Sequence, residues 1–327
     1  MLVFLLRRLL RIAISMIAVS LITFGLLQLA PGSFADISRI TSGGSGAVDA
    51  DAIGSLQARY GDSVPVWQQY LKFMAGFVTA NMGPSYKYPS RDIQEIIATA
   101  FPNSAGIAIL AVVLALAIAV PLGVVAALRR NGILDYTTMF TVTALHSLPS
   151  YLFGVILILV FSVGLQWLPV AGWDGPQNAV LPVLALGLTA ASVLARYVRS
   201  SMLEVLQEEY VTAALAKGGR FGTVIFRHAL RNSLVPLVTA AGPLLATLMT
   251  GTVFVETLFQ IPGLGFFFAD AARSRDMPLL MGCTLFYALI IMVMNLLVDL
   301  AYGWLDPRIR YGEGGWVTSR PRRLRTT

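Results

Sequence analysis

Long apolar runs alternate with short polar connections along this chain, and the alternation sets the list of elements. A hydrocarbon slab about 30 Å thick takes roughly 20 residues of helix at about 1.5 Å per residue. Six stretches meet or approach that length without a charged side chain: 12–30, 104–128, about 149–169, 179–195, 232–255 and 277–298. The third starts nearer Thr137 and carries His146 and Pro149. Proline lacks a backbone donor and crowds the preceding turn, so a bend is expected at Pro149. The fourth is short, between Asp174 and Arg196, and snorkelling of Arg196 would extend it. Six such runs predict an all-α integral membrane protein of six transmembrane helices.

The polar stretches carry their own patterns. In the long connection 31–97, "TSGGSGAVDAD" has the composition of a flexible linker. Trp67, Tyr70, Leu71, Met74, Phe77 and Val78 then recur at helical spacing and predict an amphipathic helix, lying at the interface or packed on the spans. Proline and two glycines in 256–276 predict a turn before a small amphipathic piece. The densest polar stretch is 208–232, "EEYVTAALAKGGRFGTVIFRHALRN". Acid at Glu208 and Glu209, good helix formers through Ala213, Ala214 and Ala216, base at Lys217 and then Gly218 and Gly219 write a capped helix. A second helix is expected from Gly222 and Thr223 through Arg227, His228 and Arg231 towards Pro236. A low alanine surface beside a glycine turn, with basic residues at hand, suits insertion into a groove of another protein; a solvated connection with arginines at the membrane surface is the alternative.

Composition agrees with the pattern, at 56% hydrophobic and 13% charged residues. The formal net charge of +7 fits basic cytoplasmic connections better than nucleic-acid binding. Of the 24 Lys and Arg, 17 fall at the amino terminus, in 129–130, in 196–231 and after Asp306. The rule that such residues stay inside then places both termini and the 208–232 segment in the cytoplasm. The first run, too long for a signal-peptide core and followed directly by Pro31, is expected to remain as a span. Cys283 is the single cysteine, which excludes an intrachain disulfide and a cysteine-based metal cluster.

Several chemistries lack their residues. No lysine is followed by Ser or Thr, so there is no phosphate-cradling GxxxxGK[ST] loop. There is no HExxH, and His146 and His228 lie in different segments, so no zinc site is expected. No nucleophile elbow is present. The runs offer no buried charge of the kind that marks an ion-coupled carrier, and Glu256 and Asp299 are expected to sit at interfaces. His146, the one titratable group inside a run, and Pro149 are the candidates for lining a path.

The motif "EYVTAALAKG…RHALRN…LVP" resembles the cytoplasmic signature of inner-membrane permease subunits of binding-protein-dependent ABC importers, in the dipeptide/oligopeptide branch. The short form of that signature has Glu-Ala-Ala, then glycine four residues after the second alanine. Thr212, Ala213, Ala214 and Gly218 hold those places, so the acid is absent and Glu209 lies three residues earlier. The interval from Gly218 to Pro236 is also longer than the short form, and both departures are usual in the peptide branch. "VSLITFGLLQLAPG", "PLGVVAALRRNGILD" and "NLLVDLAYGWLDPRIRYG" extend the likeness over nearly the whole chain.

The resemblance implies a type I importer permease that binds no cofactor, with ATP and Mg held by partner ATPase subunits. The implied partners are a homologous second permease subunit, two ATP-binding subunits, an extracytoplasmic substrate-binding protein and membrane lipid, in a bacterial inner membrane, without nucleic acid. Dipeptides or oligopeptides are the implied substrates, with nickel complexes or glutathione as alternatives in the same branch. Glu209, Ala213, Ala214, Lys217, Gly218, Arg227, His228 and Arg231 would form the ATPase-coupling element. The expected organisation is 1–30, start and first span; 31–97, extracytoplasmic loop; 98–306, a core of five spans containing the coupling segment 208–232; and 307–327, a basic tail that meets anionic headgroups.

Overall fold

A computed structural model describes residues 2–29 and 64–305. The linker before the amphipathic helix and the basic tail lie outside the described residues. Helices follow one another as α1 (Leu2–Leu29), α2 (Val66–Val78), α3 (Ile93–Leu128), α4 (Ile133–Ser147) and α5 (Ser150–Leu157, running on as a π-helix over Ile158–Gly164). They continue as α6 (Pro176–Leu206), α7 (Glu209–Ala216), α8 (221–233), α9 (Val235–Gly251), α10 (Val253–Phe259), α11 (Leu264–Ser274) and α12 (Met277–Leu305). Among the described residues the only bridge outside helices pairs Pro84 with Asp92.

The centre of the bundle is a parallel pair, α3 and α6. Every fourth residue of α3 from Ile107 to Ala127 is buried, and from Ala111 on all of them are small: Ala111, Ala115, Ala119, Gly123 and Ala127. Ala185, Ala191 and Ala195 answer them on α6. A stripe of small residues spaced by four lets two backbones approach closely, which is how helices associate where no hydrophobic effect separates protein from lipid. At Gly123 an added Cβ would stand 2.6 Å from Val198 Cβ and 2.8 Å from the Ala195 carbonyl. Gly187 meets Leu114 and the Ala111 carbonyl in the same way, at 2.8 and 3.1 Å.

Among the described residues four helices are long and apolar enough to cross a membrane, and two bent pairs bring the spans to six when each pair counts as one. One pair is α4 with α5, which meet at 101°. The cause is Pro149: Leu148 before it is extended (ψ 126°), as a residue before proline is driven to be, and α5 restarts after the ring. The third run is thus an elbow whose two arms lie on either side of the expected start, and its helical part ends at Gly164 rather than Pro169. The fifth run bends by 50° where α9 passes to α10. The fourth span does not stop at Arg196. Val198 and Met202 are fully buried and Arg199 finds a carboxylate, so α6 keeps going to Leu206.

Buried charge is present, contrary to the pattern of the apolar runs. Glu256 is fully buried, not interfacial. From α10 it accepts the Thr252 hydroxyl and the amides of Gly265 and Phe266, at 2.8 and 3.1 Å, and so caps the start of α11. Asp276, also fully buried, accepts the Ser85 hydroxyl and the amides of Lys87 (3.0 Å) and Leu279 (3.1 Å). Burial pushes its carboxyl above the ordinary value, and those donors pull it back. Asp270 takes Lys87 Nζ at 2.6 Å and the Tyr88 hydroxyl at 2.7 Å. These contacts lash the segment before α3 to α11 and α12. The periodic stretch of the long connection folds as α2 and packs on α1, with Tyr70 bonded to Ser20 at 2.8 Å and its ring 5.4 Å from Phe24. Asp299 pairs with Arg8, joining α12 to α1 at the other end of the bundle.

Gly123→Val should force α3 and α6 apart, at a cost of about 1–3 kcal/mol for overpacking. The yield of monodisperse protein after detergent extraction should fall, whereas Gly106→Ala, which meets nothing within 4 Å, should leave it unchanged.

Candidate functional site

The polar segment folds as a helical hairpin on the ends of α3 and α6. Val211 of α7 and Val224, Ile225 and Ala229 of α8 are buried against Met202 of α6 and Ala127 of α3. These four apolar side chains seat the hairpin, and the Ser201 hydroxyl fixes its exit by bonding the Ser233 carbonyl at 3.0 Å. Asn232 donates to the Tyr210 hydroxyl at 2.8 Å and ties the two arms together.

The turn between the arms follows from two glycines with different duties. Gly218 has φ +83° with open space around it, so it is required by backbone conformation. Its amide bonds the Leu215 carbonyl at 3.0 Å, and the Gly219 amide bonds the Ala214 carbonyl at 3.1 Å. That pair of bonds is a Schellman cap, which satisfies the last carbonyls of α7. Gly219 is required by space, since a Cβ there would stand 2.7 Å from the Ala214 carbonyl. The conformational need at Gly218 is legible in the sequence; the steric one at Gly219 is not.

The predicted site residues divide in two. Glu209, Ala213, Lys217, Gly218, Arg227, His228 and Arg231 are exposed on the hairpin, as are Ala216, Phe221 and Phe226. Ala214 turns partly inward onto the apolar seat, because it shares the face of Val211. Arg227 and His228 lie in a π-helical turn over Ile225–Ala229, where one residue more per turn shifts the face that α8 presents. The exposed rim combines alanine and glycine on α7 and its turn with Phe221 and Phe226 on α8, with acid at one end and base at the other. His146 and Pro149 stand apart from it, exposed at the α4–α5 elbow. Sequence reasoning overlooked Asp135, which is buried at the start of α4 and bound by Arg199 of α6.

The sequence pattern of the family described as "Binding-protein-dependent transport system inner membrane component" matches residues 119–311, which include the hairpin and the elbow. That of the corresponding N-terminal region matches residues 1–104. The chain belongs to this family. Among the relatives of this permease component is a dipeptide transport system permease protein, DppB, of Bacillus subtilis (strain 168). It is 38% identical over 312 residues, covering 95% of this chain and 99% of that one. An oligopeptide transport system permease protein, OppB, of Salmonella typhimurium (strain LT2) is 35% identical over 314 residues, 95% of this chain and 100% of its own. In three dimensions the permease component resembles a chain of the MetNI methionine ABC transporter in an inward-facing form. That match has a TM-score of 0.53 and 19% identity over 64% of this chain and 96% of the other. The shared fold is that of a type I importer permease.

Gly218→Ala forces a left-handed alanine, and Gly219→Ala collides with a carbonyl. Each should loosen the hairpin by about 1 kcal/mol, so that backbone amides over 211–219 exchange hydrogen roughly fivefold faster. Mass-spectrometric exchange should show no change along α3.

Proposed function

We propose that this chain is one of two homologous membrane subunits of an ATP-driven importer of dipeptides or oligopeptides, and that its hairpin is the element that docks in a partner ATPase. The observation that carries the coupling role is the hairpin itself: a capped, exposed edge seated by four buried apolar side chains on the two central spans. The substrate class rests on relatives that are dipeptide or oligopeptide transport permeases and that align over almost their full length.

The hairpin end faces the cytoplasm in this reading. Arg7, Arg8, Arg11, Arg129, Arg130, Lys217, Arg220, Arg227 and Arg231 gather there, and positive residues in short connections stay inside. Both termini share that side. Two ATP-binding subunits hold ATP and Mg and carry out hydrolysis, so this chain needs no cofactor of its own. An extracytoplasmic binding protein delivers substrate to the opposite end. Closure of the ATPases displaces the hairpin, and the α3–α6 pair carries that displacement into the spans. His146 and Pro149, at the elbow, are candidates for lining the path.

Gly218→Val and Glu209→Lys should leave the chain inserted and assembled but uncouple hydrolysis from uptake. In proteoliposomes holding the complete transporter, peptide imported per ATP hydrolysed should drop about tenfold. Normal uptake by both variants overturns the assignment.

A further inference from the structure

The connection from α3 to α4 is only 129–132, with Asn131 left-handed at φ 61°. Its amide bonds Asp135 Oδ2 at 3.0 Å. On the other side Arg199 of α6 grips the same carboxylate with two parallel bonds, Nε to Oδ1 at 2.6 Å and Nη2 to Oδ2 at 2.7 Å. Asp135 is 2% exposed. Arg199 stands between Val198, which meets Gly123 in the central seam, and Met202, which lies under the hairpin.

Besides this ion pair, α4 rests on the central pair through Val142 and Met139. Of its residues only Asp135 and Val142 are buried. A groove of about 330 Å³ runs between it and the central pair, lined by Thr138, Leu145, Leu188, Ala191 and Ser192 among others. Apolar packing of this kind does not by itself fix the register of α4 on α6. A bidentate guanidinium–carboxylate fork resists sliding and rolling, because either one breaks two charge-assisted bonds and strands a buried charge. At its far end α4 enters the 101° elbow.

We propose that the Asp135–Arg199 ion pair is a positioning strut that carries displacement of the hairpin end of α6 into α4 and the elbow. The proposal rests on the coupling role of the hairpin and names how motion leaves the central pair. Neither residue touches substrate or nucleotide. The strut sets the register of α4, and through it the angle at which the elbow presents its exposed face.

The test uses the complete transporter in proteoliposomes and reads peptide imported per ATP hydrolysed for Asp135→Asn, Arg199→Lys and Gly218→Val. Asp135→Asn keeps side-chain volume and removes the charge; Arg199→Lys keeps the charge and removes the fork. Both should lower the ratio, Asp135→Asn by about tenfold and Arg199→Lys by less. A merely structural pair would lower the yield of complex and leave the ratio of the assembled fraction at the wild-type value, which overturns the proposal. Where Asp135→Asn assembles too poorly to assay, Arg199→Lys alone decides by the same criterion. If Gly218→Val uncouples and the strut variants do not, the strut fails and the coupling role of the hairpin stands. If Gly218→Val transports normally, the hairpin is not the source of motion and the strut falls with it.

Discussion

The close approach of α3 and α6 is the constraint on which the rest of the molecule depends. A helix pair in lipid gains nothing from hiding apolar surface, so it associates only where backbones come near enough for dense packing. Small residues every fourth position along α3, with Gly123 and Gly187 at the tightest places, meet that requirement here. Because the two helices run parallel, their ends arrive together, and those adjacent ends make the apolar seat for the hairpin. The hairpin is in this way continuous with the longest spans, although its own arms are short.

Three polar anchors then fix the parts that small-residue packing leaves loose. Glu256 holds the start of α11, Asp276 holds the segment before α3 against α12, and Asp135 holds α4. Each is a buried carboxylate that is fully engaged by hydrogen bonds, the condition under which burial of such a group is tolerated. All three lie within a few residues of a helix start or a break, where free backbone amides are available to satisfy them. The protein therefore places its buried carboxylates at corners.

Much of this was legible in the sequence, and the limits of legibility have physical causes. Hydropathy located the six runs, the periodic aromatic and apolar positions located α2, and Pro149 located the elbow. The αL glycine at 218 was readable because acid, base and glycine stand in capping order around α7. Hydropathy failed where a charge has a partner: α6 runs on past Arg196, the expected boundary, because Arg199 is neutralised by Asp135, 64 residues away. It failed again at Glu256, whose donors lie nine and ten residues ahead, beyond a turn. The inward turn of Ala214 depends on the seat formed by α3 and α6, which no local pattern encodes. The π-helical stretches in α5 and α8 left no sequence signal that periodicity could detect.

In the proposed coupling role the exposed rim of the hairpin lies against an ATPase in the working membrane. Single cysteines at exposed Ala213, Ala216 and Thr223, in a chain with buried Cys283 replaced by alanine, put that claim to a direct test in native membranes. Thiol-directed crosslinking should trap an ATP-binding subunit from these positions and not from buried Val211 or Ala229. Absence of any such adduct, or labelling of the rim by an impermeant reagent added outside intact cells, would rule out a cytoplasmic ATPase contact at the hairpin.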